Sequence, residues 1–118
     1  MFKAGRNIAM KVPSHLYEAT VAFYRDVIAL PSLTTNDAAV SFAFGDKQLW
    51  IDRVPTLSQA EVWLEVVTDD LASAEKALEN WGIVRCDEIE QLPDGFHGFW
   101  IANPASIIHL IAEAKGTS

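Results

Sequence analysis

The chain carries one order of elements twice, and that repetition constrains its fold more than any single motif does. "NIAMKVP" (7–13) alternates polar and apolar residues, the period of a strand with one buried face. Ser14 can cap a helix whose apolar residues Leu16, Ala19, Phe23 and Val27 recur at helical spacing, and Pro31 ends it. Three strand-like runs follow at 33–35, 39–44 and 47–53, the last two joined by a tight turn at "FGDK". After a polar linker, 54–60, the plan begins again. "EVWLEVV" (61–67) alternates, and Thr68 or Asp69 can cap a helix with the stripe Leu71, Ala74, Leu78 and Trp81. Gly82 stands where a helix-ending glycine belongs. Strand-like runs at 83–89, 98–102 and 107–112 complete the second half, with turns at 93–95 and 103–106. The opening strands, from Asn7 and from Glu61, are 54 positions apart. Each half offers one helix and a small sheet, too little for an independent core, so the halves are expected to pack side by side as one domain.

Alternation also sorts each strand into two faces. On the first, Ile8, Met10 and Val12 oppose Asn7, Ala9 and Lys11. On the fourth, Leu49 and Ile51 oppose Gln48, Trp50 and Asp52; on the fifth, Val62, Leu64 and Val66 oppose Glu61, Trp63 and Glu65. On the last, Ile108 and Leu110 are assigned opposite to Ile107, His109 and Ile111. The aliphatic faces are expected to cover the helices. The other faces mix apolar walls with a few polar groups, which is the character of a small-molecule site. This parity turns His109, the imidazole inside "SIIHLIAE", into a shared hollow. Trp50, Trp63 and Trp100 can supply flat walls for a planar or cationic ligand, and His97 in "PDGFHG" is expected at the rim. Trp81 is assigned to the core of the second helix.

Composition narrows the function classes. A chain of 118 residues, half of them apolar, can bury a core without disulfides, and its single cysteine, Cys86, allows no internal one. That suits a reducing compartment, and with no leader pattern and no apolar run of membrane-spanning length a soluble, cytoplasmic protein is expected. The formal net charge of −7 argues against a nucleic-acid partner, because phosphate binding needs clustered Lys and Arg. It is compatible with a cationic small ligand.

The repeated order, together with "AFYRDVIAL" (22–30) and "NPASIIHLIAE" (103–113), resembles the vicinal oxygen chelate superfamily, which includes glyoxalase I, extradiol dioxygenases, fosfomycin-resistance enzymes and bleomycin-resistance proteins. The first stretch is similar to the family's helix ending F-Y-x-D-x-L-G-L, with Ala29 where glycine is usual; the second is similar to its closing turn and strand. The resemblance covers roughly residues 6–113 and implies an α+β fold. Two βαβββ modules, residues 5–54 and 60–113, would form a cupped mixed sheet with helices outside. It also implies homodimerisation.

Metal-using members of that family take ligands from the first and fourth strands of each module. Matched motif to motif, those places hold Asn7, Trp50, Glu61 and His109, with the "NPAS" turn taken as one residue shorter than the family's. Trp50 cannot ligate, since indole is only a donor, and Asn7 is a poor ligand for a transition metal. A divalent Zn, Ni, Mn or Fe would then rest on Glu61 and His109, fewer than the three protein ligands a catalytic site normally has; Asp52, Glu65 and Gln48 are reserve candidates. The favoured expectation is a binder of a small organic molecule, without metal, of the bleomycin-resistance type. The alternative is a glyoxalase-type lyase or a dioxygenase with Glu61 and His109 as metal ligands. Three roles stay open for Glu61 and His109: a hydrogen-bonded pair orienting a ligand, proton transfer by a partly desolvated Glu61, or for His109 a satisfied cavity histidine.

Overall fold

In the computed structural model, which describes residues 1–36 and 39–114, the chain divides into two units: residues 6–63, and residues 1–5 with those from 64 onward. The first unit takes residues 6–12 of β1 (Phe2–Val12), then α1 (Ser14–Ala22), a π-helical turn (Phe23–Val27), β2 (Ser32–Thr35), β3 (Val40–Phe44) and β4 (Lys47–Arg53). Its strands lie in the order β2-β3-β4-β1; β1 runs parallel to β4, and the other pairs are antiparallel. Val12, Phe42, Leu49 and Ile51 from the strands close on Val21 of α1, with Ile8 and Met10 beside them. The aliphatic faces of β1 and β4 therefore cover the helix, as alternation requires.

The helical stripe is rotated from the expected one. Tyr17, Val21 and Tyr24 turn inward, whereas Leu16, Phe23 and Val27 are 41%, 45% and 70% exposed. Both sets recur at helical spacing, so period alone could not choose between them. On the inward side Tyr24 packs 6.2 Å from the Phe42 ring centre and Tyr17 lies under Arg53. Ser14 is also not the cap; Pro13 precedes the helix, and no side chain caps it. At the far end Ala29 sits at φ 59, and the Leu30 N–H reaches back to the Tyr24 carbonyl. This is the left-handed helix ending widened by one residue to fit a π turn, with Leu30 and Tyr24 meeting in the core.

β5 (Glu61–Thr68) opens in the first unit and runs on into the second, which continues with α2 (Leu71–Asn80), β6 (Gly98–Ala102) and β7 (Ile108–Glu113) in the strand order β5-β7-β6. β7 is parallel to β5 and antiparallel to β6. Asp70, rather than Thr68 or Asp69, caps α2, accepting from the Ser73 N–H and hydroxyl. Leu71, Ala74 and Leu78 meet Phe99, Ile101 and Ile111 in the core.

Trp81 does not join them; it is 83% exposed. The helix closes with a left-handed Gly82 at φ 76, the Gly82 N–H bonding to the Glu79 carbonyl and the Ile83 N–H to the Leu78 carbonyl. That reversal brings Ile83 onto Leu78, in the place the stripe reserved for Trp81. The expected strand at 83–89 is also absent. It reduces to one bridge, Arg85 to Ile101, and a 3₁₀ turn at Asp87–Ile89. The cause is local: the Asp87 carboxylate takes the Trp100 N–H at 3.0 Å, supplanting a ladder carbonyl.

Candidate functional site

In the first unit the register places Asn7 beside Gln48, Ala9 beside Trp50, Lys11 beside Asp52, and Ser41 beside Trp50. Partners across a ladder share a face, so these side chains stand together, opposite the helix-covering residues. They are linked. The Trp50 indole N–H donates to Asn7 Oδ1 at 2.9 Å. Gln48 accepts from Arg6 at 3.0 Å and donates to the fully buried Ser41 hydroxyl at 2.8 Å. The Trp63 indole N–H donates to Glu61 Oε1 at 3.0 Å.

Sequence reasoning put Lys11 on this face but gave it no role. It is the most deeply set charge there, 4% exposed, with its Nζ 2.9 Å from Asp52 Oδ2 and 4.4 Å from the centre of the Trp63 ring. The signal was available: opposite charges at matching positions on facing strands, on the same parity as Asn7 and Trp50. Asn7, Gln48, Trp50, Asp52, Glu61 and Trp63 are thus brought into one polar and aromatic cluster around Lys11. Glu61 itself is exposed, not partly desolvated as the proton-transfer reading needs.

The second unit treats its candidates differently. His109 pairs with Leu64 on one side and Ile101 on the other, and Ile111 with Val66 and Phe99. Since Ile101, Phe99 and Ile111 pack on Ala74 of α2, His109 lies on the helix-bearing face of its sheet, which corrects the expected orientation. Its Nδ1 sits 3.1 Å from the Ile107 carbonyl and donates there in the Nδ1-protonated tautomer. The register is set by the loop 103–107, closed on Asn103, whose side-chain oxygen accepts the Ala105 and Ile107 N–H groups. Ala102 then pairs with Ile108, and Trp100 with Leu110. Trp100 keeps the face opposite α2, but its indole N–H is held by the Glu90 carbonyl at 2.9 Å, so it anchors the turn before β6. His97 is exposed ahead of β6. Burial, then Glu88 and Asp87, push the Cys86 thiol above the ordinary range, which disfavours its thiolate.

This donor set does not fit a divalent metal. The Asn7 oxygen is taken by Trp50, one Glu61 oxygen by Trp63, and His109 faces α2. Among the described residues no three His, Cys, Asp or Glu side chains come together. Among them, too, no helix is long and apolar enough to cross a membrane.

No protein-family model matches the chain, and no curated protein does. Solved structures do. A hypothetical protein from Bacillus halodurans C-125 superposes with a TM-score of 0.69 at 12% identity, covering 99% of this chain and 97% of that one. A Mn(II)-bound glyoxalase from Novosphingobium aromaticivorans gives 0.67 at 16% identity over 96% of this chain, which spans 40% of that one. A glyoxalase/bleomycin resistance protein/dioxygenase superfamily member from Vibrio splendidus 12B01 gives 0.62 at 12% identity, covering 97% of this chain and 100% of its own. With its α+β architecture, the chain has the fold of the glyoxalase/bleomycin resistance protein/dioxygenase superfamily.

Proposed function

We propose that this protein binds a small planar organic molecule, cationic or aromatic, on the polar and aromatic face of its first unit, without a metal and in the manner of the bleomycin-resistance branch of the fold. The observation that carries the reading is the Trp50–Asn7 hydrogen bond. It puts an indole, which cannot ligate, at the centre of β4 and occupies the oxygen a metal would need. Trp50, half-buried, offers a ring face, while Asn7, Gln48, Asp52 and Glu61 offer the few oriented polar groups that fix a ligand's pose. Lys11 and Arg6 balance Asp52 and Glu61, so recognition rests on stacking and hydrogen bonds more than on net charge.

The lyase or dioxygenase alternative draws on the Mn(II)-bound glyoxalase and needs Glu61 and His109 as ligands; the β7 register speaks against it. Two measurements decide. A thermal-shift screen with cationic aromatic drugs and with glutathione adducts of 2-oxoaldehydes should yield stabilisation by the former, lost in Trp50→Leu. Elemental analysis of protein purified without chelator should find no stoichiometric metal. Zn, Ni, Mn or Fe at one per chain, lost in His109→Ala, would overturn the proposal.

A further inference from the structure

We propose that the cavity between α2 and β6 binds a small aryl-alkylamine, its ring on the apolar floor and its ammonium beside Glu79. The cavity, about 310 Å³, is lined by Leu78, Ile83, Phe99 and Ile101, with Glu75 and Glu79 on its helix side and Arg85 on the other. The 83–89 segment makes one bridge to β6, at Arg85 and Ile101, instead of a full strand, and the space beside α2 stays part-filled. The floor belongs to the core: Phe99 and Ile101 are 3% and 6% exposed and pack on Ala74. The cavity lies wholly within the second unit and does not depend on the polar and aromatic face of the first.

The walls select the ligand's charge. Arg85 is already engaged: its Nη1 lies 3.2 Å from Glu75 Oε1, its Nη2 2.7 Å from Asp87 Oδ2, and its guanidinium carbon 4.6 Å from the centre of the Phe99 ring. An anionic ligand would have to displace one of those two carboxylates. Glu79 is in the opposite position. Its carboxylate has no hydrogen bond or ion pair among the described residues. It also stands one helical turn from Glu75 on α2, a like-charge spacing that a cation beside it relieves. The lining thus sets two carboxylates against one guanidinium above an apolar floor. That is the complement of a molecule with one apolar ring and one positive end. A volume of this size is at the low end for ligand pockets and suits a single ring on a short chain.

Titration with 2-phenylethylamine, followed through the NMR resonances of Phe99 and Ile101, tests this. The amine should bind with a Kd of about 1 mM or below, 2-phenylethanol more weakly, and 3-phenylpropionate most weakly. Glu79→Gln should weaken the amine roughly 3-fold, the scale of an exposed ion pair, and leave the alcohol unchanged. Ile83→Trp, which fills the cavity, should abolish binding of both; if its far-UV spectrum shows that it does not fold, Val84→Trp at the mouth takes its place. Trp50→Leu, on the face of the first unit, should leave the Phe99 and Ile101 shifts as they are. No saturable shift up to about 10 mM amine overturns the proposal. So does an alcohol or acid that binds as tightly as the amine, or binding that survives the filled cavity. Shifts that vanish in Trp50→Leu would place the amine on the first unit's face alone and would equally overturn it.

Discussion

The Lys11–Asp52 pair makes an asymmetric prediction, because its two members are buried to different depths. The Lys11 side chain is 6% exposed and the Asp52 side chain 29%. Removing one member of a buried pair costs about 3–5 kcal/mol, since the charge left behind has already lost its water. Asp52→Ala takes the carboxylate from an ammonium that cannot reach solvent without moving, and Asp52 keeps some water of its own, which puts the expected loss at the lower end, about 3 kcal/mol. Lys11→Met is milder. The carboxylate left behind hydrates at its exposed edge, the thioether fills the lysine's path, and the contact with Trp63 adds about 0.5–1 kcal/mol, for a total of about 1–2 kcal/mol. Urea denaturation at constant m-value measures both. The double variant should cost less than the two singles added, with a coupling of about 1–2 kcal/mol. An Asp52→Ala loss below about 1 kcal/mol, or a Lys11→Met loss exceeding it, would refute the claim that the buried ammonium is the hostage of the pair.

The Asp70 carboxyl is held below the ordinary carboxylate range, first by the Ser73 backbone N–H and then by the Ser73 hydroxyl, so its cap should be fully stabilising above that range and be lost as pH falls through the lowered value. The urea midpoints of wild type and Asp70→Ala, well separated at about pH 7, should converge toward about pH 2. Ala29 at φ 59 carries a side chain where the helix ending favours none, so Ala29→Gly should stabilise by about 1 kcal/mol and raise the melting temperature by about 4 °C. Gly98 faces the opposite constraint. A Cβ there would come within 2.7 Å of the Ile111 carbonyl oxygen and 2.8 Å of the Phe96 ring, so Gly98→Ala should cost about 2 kcal/mol in the same thermal assay.

Much of the fold was legible because alternation reports directly on faces. Asn7, Lys11, Gln48, Trp50 and Asp52 stand together as their parity required, and Ile8, Met10, Leu49 and Ile51 close on α1. What was not legible came from choices that period leaves degenerate. Leu16–Phe23–Val27 and Tyr17–Val21–Tyr24 are equally helical, so period cannot decide between them. Trp81 continues the α2 stripe on paper, but a glycine-closed helix end removes its position from the helix and gives the place to Ile83. The strand at 83–89 was lost to an aspartate side chain competing for a ladder donor, which no count of apolar residues reveals.

His109 shows how much function can hang on a loop's length. In a β-hairpin the face is carried across the turn by pairing, so the residues joined at its mouth, Ala102 and Ile108 here, must share a side. Phe99 and Ile101 are apolar and Trp100 carries a donor needing an acceptor, which assigns the odd positions of β6 to the helix before β7 is considered. Five residues, 103–107, then lie between the paired ends, an odd number, and an odd loop preserves parity. Odd positions of β7 must follow odd positions of β6, so Ile111 goes to the core and His109 goes with it. Reading His109 opposite α2 while leaving Trp100 there too would have required an even loop. The arithmetic of a turn thus sets His109 on the helix side of its sheet, away from the face it was expected to share, while the cluster built on β1 and β4 around Lys11 holds charges and indoles that already have partners.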